Sequence, residues 1–248
     1  MVKILSFDVG IKNLAYCIVS FNDNENMLNH SIEEWGVIDI MEKFLKKNIT
    51  CSVNKKGKLC NAIAINSVTS NDKCIGFCKK KTCQAIANSS YSKKELKKVK
   101  IINTKSVSQL DMTGEMIIKL KQLPYLLNTD IVVIENQPVL KNPTMKSIQM
   151  VLYSYFLIYG YVPNDSQISN IALFNAGRKL DIYNGPKIDG IKDQSTYAGR
   201  KKLSIEYTKY FLKENPEKLK FFNDHKKKDD LADSYLQCLT FYKKRYNA

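Results

Sequence analysis

The sequence contains no apolar run approaching the roughly 18 residues that a helix needs to cross a bilayer, which excludes a transmembrane helix. The opening MVKILSFDVG meets an aspartate after seven residues and is not expected to act as a secretion leader. The patterns NIT at Asn48 and NSS at Asn88 therefore carry no glycosylation meaning. The expected setting is soluble and intracellular. No internal repeat is visible. Arginine is scarce, with only Arg178, Arg200 and Arg245 beside 36 lysines. A bias of that kind fits an AT-rich coding sequence, but it does not explain a formal net charge of +15.

The charge is concentrated. Residues 41–105 carry 16 Lys against Glu42, Asp72 and Glu95, a net +13, while the other residues hold 23 basic and 21 acidic groups. A local positive field of this size favours a polyanion such as nucleic acid. The alternative is a solvated basic loop. Five of the seven cysteines lie in the same segment: Cys51, Cys60, Cys74, Cys78 and Cys83. In an intracellular chain such a cluster points to metal rather than disulfides. Four thiolates suffice for a tetrahedral zinc site. The spacings, C-x8-C and then C-x3-C-x4-C, are looser than paired CxxC motifs and do not decide which four. Cys17 and Cys238 sit in apolar-periodic stretches and are expected in the core.

With 248 residues, 44% of them apolar, the chain can bury one large domain carrying an insertion. VKILSFDVG alternates like a strand, with Ile4, Ser6 and Asp8 on one face. Leu14–Phe21 is a second strand after a tight hairpin in which Gly10 is expected to take a positive φ. Glu33–Ile40 is a third. The basic, Cys-rich segment then breaks the pattern. Ser106–Leu123 reads as a helix ended by Pro124. Ile131–Ile134 is a continuous apolar run of the kind found in central strands, and Glu135 ends it. Asn142–Tyr161 is helical with Pro143 in its first turn, and QISNIALFNA supplies another strand. Residues 177–199 form a long polar loop, a length that suggests function. Arg200–Asn215, ended by Pro216, and Asp229–Tyr246 are the last two helices. The pattern βββ, insertion, αβαβ, loop, αα predicts a single α/β domain with a mixed sheet flanked by helices, interrupted at about 41–105.

Four carboxylates are candidates for chemistry. Asp8 is out of place in an apolar strand, and Glu135 at the tip of a buried one, where ligands often bind. In KKKDDLADSY (226–235), Asp230 and Asp233 stand at i,i+3 on one helix face, beside the apolar stripe of Leu231, Leu236 and Leu239. Each also has a plain reading, since acids cap helices and suit the helix dipole. Buried carboxylates repel unless cations neutralise them. Four converging acids would suit Mg²⁺, which takes oxygen ligands and substrate phosphate, and two such ions activate water for phosphodiester hydrolysis. Lys226, Lys227 and Lys228 would then guide phosphates towards an acidic site, or simply form a solvated face.

ILSFDVGIKNLAYCIV, VVIENQPVLKNPTMKSIQ and KKDDLADSYLQ resemble the poxvirus and large-DNA-virus Holliday junction resolvases, relatives of the bacterial RuvC-type and fungal mitochondrial enzymes. The resemblance covers most of the chain outside 41–105. It implies an RNase H-like fold with a five-stranded sheet. It implies Mg²⁺ or Mn²⁺ held by Asp8, Glu135, Asp230 and Asp233, and a homodimer that cuts four-way DNA junctions in viral recombination and concatemer processing. The family also places lysines near the scissile phosphate; Lys141 and Lys146, or Lys201 and Lys202, are the candidates. Lys79, Lys80 and Lys81 are expected DNA contacts in the insertion. Two other readings stay open: an RNase H-like nuclease acting on RNA–DNA hybrids or flaps, and a non-catalytic, zinc-stabilised nucleic-acid-binding protein.

Overall fold

The computed structural model describes residues 1–22, 30–70, 72–140, 142–191 and 193–246. The chain opens with β1 (Val2–Val9), β2 (Asn13–Phe21) and β3 (His30–Asp39). Residues 41–108 supply α1 (Glu42–Leu45), β4 (Asn54–Lys55), β5 (Lys58–Leu59), β6 (Ala64–Ser70), β7 (Lys73–Cys78), α2 (Lys81–Ser90) and β8 (Lys97–Lys98). Then follow α3 (Gln109–Lys121), β9 (Ile131–Glu135), α4 (Pro143–Phe156), β10 (Asn170–Phe174), α5 (Tyr197–Phe211), α6 (Pro216–Asp224) and α7 (Lys228–Tyr246). These elements form two compact units, one of residues 1–40 with 109–248 and one of residues 41–108.

The larger unit is built on a five-stranded sheet of order β10-β9-β1-β2-β3. β1, β2 and β3 run antiparallel, whereas β9 and β10 lie parallel to β1. This is the five-stranded mixed sheet flanked by helices anticipated from the sequence. All five residues of β9 are buried, as a central strand covered on both faces requires. On one face Ile4, Cys17 and Val19 pack on α7, with Ile131 and Val133 in the same cluster as Leu231, Tyr235 and Leu239. On the other face Phe7 meets Phe156 of α4 at 5.3 Å between ring centroids. Cys17 and Cys238 are fully buried, as expected for core residues.

Three local expectations need correction. Gly10 does not have a positive φ. It is a close-approach glycine instead: a Cβ there would lie 2.6 Å from the Asn13 carbonyl oxygen across the hairpin. The chain also ends in three helices rather than two. α5 ends at Phe211, short of Pro216, and Pro216 instead starts α6, where Asn215 caps by accepting from the Lys218 N–H at 3.1 Å. The helix read as 142–161 is α-helical only to Phe156 and closes in a wider π turn, Leu157–Tyr161.

The smaller unit is structured rather than a bare loop. β7, β6 and β8 make a three-stranded antiparallel sheet, and β4 and β5 form a short hairpin. Its apolar cluster contains Cys51, Val53, Val68, Phe77, Cys78, Cys83 and Ala87.

Candidate active site

The parallel register sets Phe7 opposite Ile134, so the next residues along, Asp8 and Glu135, end adjacent strands side by side. Alternation turns Asp8 to the same face as Ser6 and Ile4, towards α7. The helix is pinned there by Gln237, whose Nε2 donates to the Ser6 hydroxyl at 3.0 Å and to the Phe7 carbonyl at 3.1 Å. Asp233 is four residues, about one turn, before Gln237 and shares its face. At the start of α7, Trp35 Nε1 donates to the Leu231 carbonyl at 3.0 Å.

Asp8, Glu135 and Asp233 converge on a residue that sequence reasoning missed. The Lys179 ammonium lies 2.5 Å from Asp233 Oδ2, 3.8 Å from Asp8 Oδ1 and 3.9 Å from Glu135 Oε1. Its carbonyl accepts from the Thr240 hydroxyl at 3.1 Å, which fixes its backbone against α7. Burial alone would lower its basicity, but Asp233, Asp8 and Glu135 outweigh that and raise it. Burial, and then the neighbouring Glu135 charge, hold the Asp8 carboxyl well above the carboxylate range. The only signal for Lys179 in the sequence was its place in the long polar loop. That loop holds several polar and charged residues with no periodicity to rank them.

Glu135 is oriented by its own shell. Its Oε2 accepts from Gln137 Nε2 at 2.6 Å and from the Val9 N–H at 3.3 Å, which leaves Oε1 facing Lys179. Gln137 is held in turn by its backbone N–H donating to Gln149 Oε1 at 2.8 Å. Lys146 donates to the same Gln149 oxygen at 3.2 Å and to Asn136 Oδ1 at 3.0 Å. Asp230 is placed differently from the other three acids: Asn13 Nδ2 donates to its Oδ2 at 3.1 Å and Lys227 pairs with it at 3.3 Å.

The donor set suits a cation. Three carboxylates share one lysine, and Asp233 Oδ1 is buried without any hydrogen-bond partner. Oxygen-only donors of this kind match a hard divalent ion such as Mg²⁺. An open cavity of about 220 Å³ adjoins the acids, lined by Glu135, Asp233, Lys179, Tyr197, Arg200 and Lys201 among others. Lys201 pairs with Asp229 and lies over the Tyr197 ring, 5.1 Å from its centroid. Arg200 and Tyr197 were not singled out from the sequence.

The remaining lysines are more scattered. Lys202 is exposed beside Lys201. Lys226 is exposed just before α7, and Lys228 donates to the His225 carbonyl at 3.0 Å. Lys79, Lys80 and Lys81 are exposed within the smaller unit. Lys141 lies outside the described residues. Among the five clustered cysteines, the sulfurs of Cys51, Cys60, Cys78 and Cys83 all lie within 4.8 Å of one another, while Cys74 is exposed and stands apart from that group.

Residues 4–139, more than half of the chain, match the family described as mitochondrial resolvase Ydc2 / RNA splicing MRS1. The uncharacterized protein L451 of Acanthamoeba polyphaga mimivirus is 28% identical over 309 aligned positions, covering 95% of this chain and 73% of that protein. Among solved structures, the fowlpox virus resolvase in complex with its substrate Holliday junction DNA is 16% identical with a TM-score of 0.48, covering 98% of this chain and 97% of that one. The yeast mitochondrial Holliday junction resolvase Ydc2 is 17% identical with a TM-score of 0.46, covering 97% and 78%.

Proposed function

The chain belongs to the family of the mitochondrial resolvase Ydc2 and the RNA-splicing protein MRS1, and from that premise we propose that it is a metal-dependent endonuclease that resolves four-way DNA junctions. The observation that carries the reading is the meeting of Asp8, Glu135 and Asp233, drawn from β1, β9 and α7, around a single cation, with one buried Asp233 oxygen left unpaired. Charge crowding of this kind destabilises a fold and has a use when the acids hold divalent metal.

Asp8, Glu135 and Asp233, with Asp230 one turn earlier on α7, are the residues that would hold Mg²⁺ or Mn²⁺. When bound, such ions supply an activated water and neutralise the leaving oxygen of a phosphodiester. The protein's own part is positioning. Gln137 and the Val9 N–H fix the direction of Glu135. Gln237 keeps α7, and with it Asp233, against β1. Lys179, Arg200 and Lys201 bring positive charge to the cavity beside the acids, where a DNA phosphate would sit, and Tyr197 offers a ring for a base to stack on. Lys226, Lys227 and Lys228 lead phosphates towards an otherwise acidic site.

A four-way junction presents two equivalent strands, and a two-fold homodimer would set one site on each. We read 41–108 as an insertion within one resolvase domain, adding non-specific DNA affinity, and place the protein in viral DNA recombination and concatemer processing. The family also contains a splicing protein, and an RNA partner is the second reading; the converging carboxylates favour hydrolysis. Purified protein should nick a synthetic four-way junction at paired positions when given Mg²⁺ or Mn²⁺, and leave a linear duplex intact. Glu135→Gln should bind the junction and not cut it. Preference for an RNA–DNA hybrid or flap would move the assignment to another RNase H-like nuclease. Binding without metal-dependent cleavage of any of these substrates would make the protein a non-catalytic binder.

A further inference from the structure

The unit formed by 41–108 has a small core and a large charge. Three of the seven buried residues in its apolar cluster are cysteines. Residues 41–105 hold 16 lysines and three acids. Units below about 70–80 residues rarely bury enough apolar surface to hold together without a staple, and like charges add self-repulsion.

The four sulfurs supply the staple. Cys60 Sγ lies 3.7 Å from Cys78 Sγ and 3.9 Å from Cys83 Sγ. Disulfide sulfurs would be about 2.05 Å apart, and these cysteines are free. Four thiolates arranged tetrahedrally at the zinc–sulfur distance of about 2.3 Å have sulfur–sulfur edges of about 3.8 Å. The two separations straddle that edge length.

The backbone explains how the sulfurs meet. Lys56 and Gly57, at φ 50° and 80°, form the left-handed turn that closes the β4–β5 hairpin. The Cys60 N–H donates to the Val53 carbonyl at 2.9 Å, and the Asn61 N–H to the Cys51 carbonyl at 3.3 Å, so Cys51 and Cys60 come together at the hairpin's open end. Cys78 ends β7 and Cys83 lies in the first turn of α2. Gln84 Nε2 closes that loop on the Cys78 carbonyl at 2.7 Å. A hydrogen bond from Lys55 to Thr82 joins the two loops. Cys74 is four residues up β7 from Cys78, about 13 Å at strand spacing, and is exposed.

We infer that Cys51, Cys60, Cys78 and Cys83 form a structural zinc site with all four coordination positions filled by protein, and that Cys74 is not a ligand. A Zn²⁺ with four thiolates carries two negative charges, and the Lys80 ammonium, 3.5 Å from Cys60 Sγ, offsets part of them. The site closes the core of the basic unit and leaves no open position for catalysis. This inference does not depend on the nuclease reading, because its readout is metal content and thiol reactivity.

The test uses the full chain expressed with zinc and iron both supplied. Elemental analysis should find one zinc per chain. Cys74→Ser should keep that zinc, and Cys60→Ser or Cys78→Ser should lose it. Folding defects in those two variants are bypassed on the wild-type protein. There, a thiol reagent should modify Cys74 rapidly and the four ligands only after chelation, and Co²⁺ exchange should give the absorption of a tetrahedral thiolate site. Iron in place of zinc, loss of zinc in Cys74→Ser, or rapid modification of all five clustered thiols before chelation would each overturn the assignment.

Discussion

Replacing Lys179 by Met removes the cation and leaves three carboxylates facing one another. Its side chain is 17% exposed, and the three acids are 19%, 10% and 14% exposed, so water screens them only in part. At an effective dielectric of about 20, the attraction to Glu135 across 3.9 Å amounts to roughly 4 kcal/mol gross, and Asp8, whose carboxyl burial raises, has less charge to contribute. Uptake of a proton by one carboxyl limits the damage, and breaking such a buried set typically costs about 3–5 kcal/mol net. Because its partners raise the Lys179 basicity, the contribution is present in full below the unfolded lysine pKa and is lost only as alkaline pH passes the folded value. Neutral pH is therefore a fair place to measure it. Trp35 is the single tryptophan and stacks on Phe222 at 5.4 Å, in the core beneath α7, so its fluorescence follows the larger unit. In EDTA, urea unfolding followed by Trp35 should show Lys179→Met less stable by those few kcal/mol. Added Mn²⁺ or Mg²⁺ should stabilise the variant more than the wild type, since the ion no longer competes with a resident ammonium. A variant as stable as wild type in EDTA, with an equal gain from metal, would refute the shared cation site.

Asp8→Asn should stabilise the metal-free protein while abolishing cleavage. Burial and Glu135 raise the Asp8 carboxyl, so the native state binds its proton more tightly than the unfolded chain does. Wild-type stability then falls as pH rises from the ordinary carboxyl range to the folded value, by at most about 1.4 kcal/mol per pH unit. The variant should gain on wild type across that interval and match it in acid; a constant difference at all pH values in EDTA would contradict this. In the basic unit, Lys79→Gln with Lys81→Gln should weaken DNA binding and reduce its salt dependence, by about 0.9 in log–log slope for each lost phosphate contact on duplex DNA. Lys80 is left in place because it faces Cys60. An unchanged slope would make these lysines a solvated face.

The strands of the larger unit were legible in the sequence, because alternating or continuous burial is written locally. Ile131–Ile134 reads as a covered strand whatever lies beside it. The misfit acids were legible too, since Asp8 and Glu135 break apolar runs, and the cysteines stood out as a group. Convergence was not. Lys179 reaches Asp8 and Asp233 only because β10 and the following turn bring it under Thr240 of α7, contacts that span from 54 to 171 residues of chain. Asp230 and Asp233 look equivalent at i,i+3, yet Asn13 and Lys227 take one while Lys179 takes the other, a choice made by neighbours from other elements. The same holds in the smaller unit. Five cysteines within 33 residues are indistinguishable by spacing, and only the hairpin and the β7–α2 loop bring four of them together and leave Cys74 in solvent. Local burial is a property of a segment, whereas a site is a meeting of segments, and the packing of the folded chain alone sets where they meet.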